Sequence, residues 1–424
     1  MLKSVFIRRP RVVAPLQRYF HASSQALDKI LCVLYPDPEG GMPDGGEYIR
    51  DAIPYLHHYP DGSTTPTPDK VDFKPGELLG CVSGHLGLRD WLESEGHEFI
   101  CTADKEGEES VLERNLHDAD FVISQPFYPA YFTRSRLEKA PKLKAAITAG
   151  IGSDHVDLEA AAERNVDVCE ITYSNSISVA EHVVMMILAL VRNYPYSYGR
   201  VMLGGWNVAD CAQKAYDVEK MKVGTVAAGR IGLAVLKRMH AFDCELHYTD
   251  RHRLPEDVEK LYNLKYWESW QEMVEVGRMD VVTLNCPLHS ETEHMINDET
   301  IKLFKRGAYL VNTARGKLCE TDTIVKASAL ETGRLGGYAG DVWFPQPAPV
   351  NHPWRTMAHH GMTPHVSGTT LSAQARYAAG VREILECYLS GKPIREEYQI
   401  VTKGCLAGAG AHSYSEGNCT EGAA

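Results

Sequence analysis

The chain has 424 residues, 44 Lys+Arg against 56 Asp+Glu for a formal net charge of −12, and is 44% hydrophobic and 24% charged. That length corresponds to about two domains, and the composition excludes global disorder, collagen-like repeats and small disulfide-stapled scaffolds. The acidic surplus argues against general attraction to nucleic acid or to a membrane surface.

In chain order, residues 1–27 stand apart: Lys3, Arg8, Arg9, Arg11 and Arg18 are their only charges, with Ser, Ala and bulky apolar residues between. This segment resembles a mitochondrial presequence. Arg18-Tyr19-Phe20-His21-Ala22-Ser23 resembles a two-step processing site, which places the mature start near Asp28 and the protein in the mitochondrial matrix. A strand is predicted at Ile30–Tyr35, followed by a Pro/Gly/polar stretch to about Pro75 that reads as a long ordered loop. From Leu86 the pattern alternates, with Leu86–Glu95 helical and Phe99–Thr102, Phe121–Ser124, Lys144–Thr148 and Val166–Cys169 extended. Such alternation predicts parallel α/β structure.

A helix is predicted from Val179 to about Asn193, with Ser178 as N-cap and Glu181 in the first turn. Its Met185-Met186-Ile187-Leu188 centre predicts burial on most sides, as in an interdomain or dimer helix. The longest apolar run, Val183 to Val191, is about half the length that crosses a bilayer, so no membrane span is expected. A second alternating series has strands predicted at Val223–Ala227, Leu246–Thr249, Asp280–Asn285, Tyr309–Asn312 and Gly337–Val342. Runs such as DVVTLN and AYLVNT suit strands covered on both faces. The tail from Gly404 reads as an extended or partly disordered arm. The 11 cysteines form no C-x-x-C pair, and His57-His58 and His359-His360 lack the i, i+4 spacing of a helical metal site. No metal is expected.

Ala227-x-Gly229-x-x-Gly232 lies between a predicted strand and a helix, and Asp250 ends the next strand. In a dinucleotide fold Gly229 lets the backbone approach the pyrophosphate, Gly232 lets helix pack on strand, and the helix N-terminus offers N–H groups to the anion. Asp250 would accept hydrogen bonds from the ribose hydroxyls and repel a 2′-phosphate, which favours NAD over NADP; neighbouring Arg251 tempers that preference. Ala227 departs from the usual first glycine of the loop.

Eight stretches together resemble the NAD-dependent formate dehydrogenase family of the D-2-hydroxyacid dehydrogenase superfamily. They are Gln125-Pro126-Phe127, Thr148 through His155, Asn175-Ser176-Ile177, the phosphate loop, Tyr248 through Arg253, Asn312 through Gly316, Gly340 through Pro347 and Thr363 through Gly368. The likeness covers essentially everything after Asp28. It implies two doubly wound parallel-sheet α/β domains: a central Rossmann NAD-binding domain, 176–366, inserted in a discontinuous substrate domain, 28–175 and 367–424. It also implies a homodimer.

By the same resemblance, formate is held by Arg315, Asn175 and His365, with Ile151, Pro126 and Phe127 closing the pocket. Taken alone, Arg315 also suits a structural salt bridge, and Asn175 a turn or cap. The cofactor is NAD, lined by Ser176, Gly229, Arg230, Ile231, Gly232, Asp250, Pro287, Leu288, His289, Ser290, Glu291, Thr313, Asp341, His365, Val366, Ser367, Gly368 and Ser413, with Asp341 on the carboxamide. Gln346 discriminates most. Relatives that oxidise 2-hydroxy acids carry Glu there, which supports a protonatable His; formate has no hydroxyl proton to lose and needs no general base. The rivals are a 2-hydroxyacid dehydrogenase or glyoxylate reductase and a non-enzymatic NAD-sensing scaffold. Tyr128 stands where the family often has Trp, and the segments 250–280 and 326–332 each look about two residues longer than the family pattern.

Overall fold

The computed structural model describes residues 27–36, 88–328 and 333–407. The predicted presequence before Leu27, the predicted loop after Pro36, and Ser413 with the tail beyond Ala407 lie outside the described residues.

The described strands form two seven-stranded sheets. The first contains β1 (Lys29–Val33), β2 (Glu98–Thr102), β3 (Phe121–Ser124), β4 (Ala145–Thr148) and β5 (Asp167–Glu170). The second contains β6 (Lys222–Val226), β7 (Glu245–Thr249), β8 (Leu264–Tyr266), β9 (Val281–Leu284), β10 (Ala308–Asn312), β11 (Leu335–Gly340) and β12 (His360–Met362). The chain then returns to the first sheet with β13 (Gln399–Thr402) and β14 (Cys405–Leu406). The orders are β14-β13-β5-β4-β3-β1-β2 and β12-β11-β10-β9-β6-β7-β8. All pairs are parallel except β13 with β5 and with β14.

Every residue of β1, β3, β4, β9 and β10 is buried, because helices cover both faces of each sheet. Alternate residues of one strand enter different apolar layers: Ile30 and Ile123 pack with Ala373 and Tyr377, whereas Leu31 and Val122 pack with Leu112 and Ala160. Each sheet therefore has its own two-sided core, and the loops at the carboxyl ends of both sheets carry the motif residues.

The helix between the sheets differs from expectation. It spans Ser176–Val191, with Asn175 at the N-cap position and no side-chain cap bond. Ser178 is inside it, and its hydroxyl meets Thr370 Oγ1 at 2.9 Å and the Arg376 guanidinium at 3.2 Å. These buried partners replace a capping role. In the single chain the helix centre is buried where Met186 and Ile187 pack with Val235 and Val311, while Met185 is 49% exposed. Strands β8 and β12 to β14 had no counterpart in the sequence reading. Each is two to four residues long, too short to display a period of two, and the sheet supplies their pairing.

Candidate active site

The phosphate loop follows β6. Ala227 adopts φ +71°, the left-handed conformation that a first glycine would take without strain. A Cβ on Gly232 would overlap the Ala227 carbonyl, whereas one on Gly229 would meet nothing within 4 Å. One glycine thus permits tight packing and the other leaves the loop open at the N-terminus of the helix Arg230–His240. Ala227→Gly is expected to raise stability by about 1 kcal/mol, the relieved strain exceeding the entropy cost of glycine, with NADH binding unchanged. A thermal unfolding curve and an NADH titration check this; a lower Tm would mean that the Ala227 methyl contributes more by packing than its backbone costs.

Asp250, at the end of β7, accepts from Ala228 N at 2.7 Å and His252 N at 2.9 Å. These bonds clamp an acid to the loop's own backbone. Arg253 is committed to Glu259 by two 2.9 Å bonds. At the crossing, Ser176 Oγ and Asn175 Oδ1 are buried with no hydrogen-bond partner, acceptors that a bound ligand would satisfy. An open glycine, a helix N-terminus, a clamped acid and unpartnered buried polar atoms together fit a dinucleotide.

Arg315 follows β10. Its Nε and Nη2 donate to Asp154 Oδ1 at 2.8 and 2.6 Å, and Nη1 donates to the Ala314 carbonyl at 2.7 Å. The guanidinium lies so close to Gly152, at φ +107°, that any Cβ there would overlap it. Removal from water in the cleft pushes the Asp154 carboxyl up, but the Arg315 charge and hydrogen bonds override this and hold it well below the usual carboxylate range. Asp154 itself was absent from the predicted site residues. Nothing local reveals its pairing, because its partner is 161 residues away in the chain. A pocket of about 240 Å³ brings together Arg315, Asp154, Gln346, His365, Pro126 and Leu288, with His155 and Tyr131 on its walls. Asn175, Phe127 and Ile151 are not among the residues that line this pocket; Asn175 Nδ2 and the Phe127 ring both border Gly368, where a Cβ would stand 2.7 and 2.8 Å from them, and that ring meets His365 edge-on at 5.1 Å.

Gln346 crosses between the two halves of the cleft. Its amide nitrogen donates to the Pro126 and Phe127 carbonyls at 3.4 and 3.3 Å, which turns Oε1 toward His365 Nδ1 at 2.9 Å. That geometry puts the ring proton on Nδ1. Burial pushes the His365 imidazole down to about 4, with nearby Asp341 countering and Arg315 assisting, so the ring is neutral at physiological pH. Asp341 is fully buried and accepts from Val366 N, Ser367 N and the Thr363 hydroxyl. It anchors the return crossing and thereby sets the backbone of His365, at φ +58°.

A sequence profile described as the NAD-binding domain of D-isomer specific 2-hydroxyacid dehydrogenases matches residues 184–367. Formate dehydrogenase of Pseudomonas sp. (strain 101) is 67% identical over 394 residues, 93% of this chain and 97% of that protein. The chain belongs to the formate dehydrogenase family. The Arabidopsis thaliana chloroplastic/mitochondrial formate dehydrogenase is 49% identical over 79% of this chain and 86% of its own. Among solved structures, Granulicella m. formate dehydrogenase superposes with a TM-score of 0.82 at 60% identity, covering 90% of this chain and all of that one.

Within this formate dehydrogenase family member, the residues expected at the cofactor lie on several loops. Gly229, Arg230, Ile231 and Gly232 gather at one helix end, while Thr313, Asp341, Ser367 and Gly368 follow the ends of β10, β11 and β12. Pro287 to Glu291 form a turn held by Thr292, whose hydroxyl donates to the Pro287 carbonyl at 2.8 Å and accepts from His289 N at 3.0 Å. Ile151 lies between Gly150 and Gly152, on a loop so close to Pro126 that a Cβ on Gly150 would stand 2.8 Å from its ring.

Proposed function

We propose that this protein oxidises formate to CO2 by direct hydride transfer to NAD+, in a cleft between a substrate domain, 28–175 and 367–424, and an NAD-binding domain, 176–366. The observation that carries the reading is the amide of Gln346 hydrogen-bonded to a buried His365, in a pocket that Arg315 and Lys317 line. A base poised near neutrality would be required to oxidise a hydroxy acid. Formate yields CO2 with no proton to transfer, so a neutral ring suffices.

Arg315 supplies the charge that attracts the anion, and Asp154 fixes the guanidinium so that formate meets an already oriented cation. Asn175 presents its amide from the crossing. His365, with its proton on Nδ1, borders formate without adding charge. Pro126 and Phe127 form an apolar wall that favours loss of charge as carboxylate becomes CO2. When bound at the phosphate loop, NAD+ supplies the ring carbon that accepts the hydride. The 240 Å³ pocket has room for an anion as small as formate. Most of the catalysis is positioning.

The test is absorbance at the NADH band with purified protein, formate, and NAD or NADP supplied separately. Product with NAD and little with NADP is expected from the clamped Asp250. Faster turnover of glyoxylate than of formate would favour the hydroxyacid rival, and NADH binding without hydride transfer from any small acid would favour the scaffold.

Two further readings accompany this one. Met202, Leu203, Trp206 and Val208 are 66, 85, 87 and 72% exposed and adjoin exposed Tyr194 and Tyr198, an apolar surface suited to burial against a second copy of the chain. Leu203→Glu with Trp206→Glu is expected to convert a dimer into monomers in sedimentation velocity; unchanged sedimentation would assign the patch elsewhere. Formate dehydrogenases of barley and potato are described as mitochondrial, and the basic, acid-free segment 1–27 supports the same destination here. Fused to a fluorescent protein, it should direct import into mitochondria; cytosolic fluorescence would remove the assignment.

A further inference from the structure

The first crossing holds a feature that the hydride-transfer scheme leaves unused. Thr172 and Ser174 are both 2% exposed. The Thr172 hydroxyl donates to the Glu397 carbonyl at 2.8 Å, the Ser174 hydroxyl donates to the Ile171 carbonyl at 2.6 Å, and Arg376 Nε donates to the Ser174 carbonyl. Between these tethers Tyr173 sits at φ +70°, a left-handed conformation that a bulky residue adopts only when its surroundings impose it. The imposed backbone aims the Tyr173 ring at Arg230, whose guanidinium carbon lies 3.8 Å from the ring centroid.

Arg230 is the first residue of the helix that ends the phosphate loop, directly after open Gly229. Contact through the guanidinium face leaves its N–H edges in the ring-parallel plane, where they can meet an anion. A stacked Arg also loses less rotamer freedom when that anion arrives.

We propose that Tyr173 is a positioning residue for the cofactor pyrophosphate: its ring holds the Arg230 guanidinium at the phosphate loop, so that the segment carrying Asn175 supports cofactor binding directly. This rests on the reading of the loop as the NAD site. Because Asn175 follows Tyr173 by two residues, the crossing then serves both substrates with one rigid piece of backbone.

The experiment is calorimetric titration of the purified protein with ADP-ribose, which carries the pyrophosphate, and with adenosine, which lacks it. Tyr173→Leu is expected to weaken ADP-ribose binding by roughly 2- to 30-fold, the range of a cation–π contact, and to leave adenosine binding unchanged. Tyr173→Phe, which keeps the ring, should bind like the native protein. In an Arg230→Ala background Tyr173→Leu should have no further effect. If Tyr173→Leu does not fold, Tyr173→Gly, which suits the left-handed backbone, should give the same selective loss. Equal weakening of both ligands, native ADP-ribose affinity in the variant, or a loss that persists without Arg230 would overturn the proposal. Failure of the native protein to bind ADP-ribose at all would instead overturn the NAD reading beneath it.

Discussion

Arg315→Ala should lower kcat/KM for formate by about a thousandfold, the scale for removing a hydrogen-bonded charge from its partner in a binding site, while NADH binding stays near native. Two effects act in the same direction. Formate loses its cation, and Asp154 loses the partner that holds its carboxyl low, leaving an acid in the cleft that repels an incoming anion. Asp154→Asn in the Arg315→Ala background should therefore recover part of the loss. Arg315→Lys should fall between native and Ala, since an ammonium keeps the charge but cannot reproduce the guanidinium's contacts with Asp154 and the Ala314 carbonyl. Steady-state kinetics across the four proteins, with NADH titrations beside them, separate these contributions. A loss smaller than tenfold for Arg315→Ala would take Arg315 out of formate binding. The native pair also has a pH signature: because the Asp154 carboxyl is depressed in the folded state, its contribution to stability is present above the unfolded carboxylate value, about 3.9, and is lost as pH falls below it. Arg315→Ala should remove that contribution.

Gln346→Glu should make formate oxidation pH-dependent near neutrality, where the native enzyme is flat with respect to His365. In the native protein burial keeps this ring down at about 4, so it does not titrate between about pH 6 and 9. A carboxylate 2.9 Å from Nδ1, where Gln346 Oε1 now stands, favours the imidazolium and raises the ring toward neutral pH. Below the new value the ring is charged; above it the native-like neutral form returns. Reduction of glyoxylate, which must take up a proton at its new hydroxyl, should rise as pH falls through the same value. The variant also faces the Pro126 and Phe127 carbonyls with an oxygen where the amide nitrogen donated, at a cost of about 1–3 kcal/mol. Rate profiles for both substrates and a denaturation curve check these outcomes. A flat profile for the variant between pH 6 and 9 would remove the role assigned to Gln346.

Much of the fold was readable because its signals are local. The buried runs at β3, β9 and β10 carry their own pattern, and the strand–glycine–helix order of the phosphate loop can be recognised within fifteen residues. Ser178 misled because a serine before an apolar run looks the same whether its hydroxyl caps a helix or faces Thr370 and Arg376, 192 and 198 residues further on. Strands β8 and β12 to β14 escaped notice because pairing with an existing sheet edge, rather than their own composition, makes them strands.

For the site, the sequence by itself determined the chemical inventory: a guanidinium after a buried strand, an amide in place of a carboxylate at Gln346, an acid ending β7 and the glycines of the phosphate loop. Only the tertiary structure decided how those groups behave. Arg315 is oriented by Asp154, His365 is neutral because it is buried and carries its proton on the side facing Gln346, and Tyr173 meets Arg230 because tethers from distant segments impose its backbone. Covalent neighbours fix which groups are present and the local shape of the turn. Hydrogen-bond geometry and the removal of water depend on distances between residues remote in the chain, and those exist only once the two sheets have packed around the cleft.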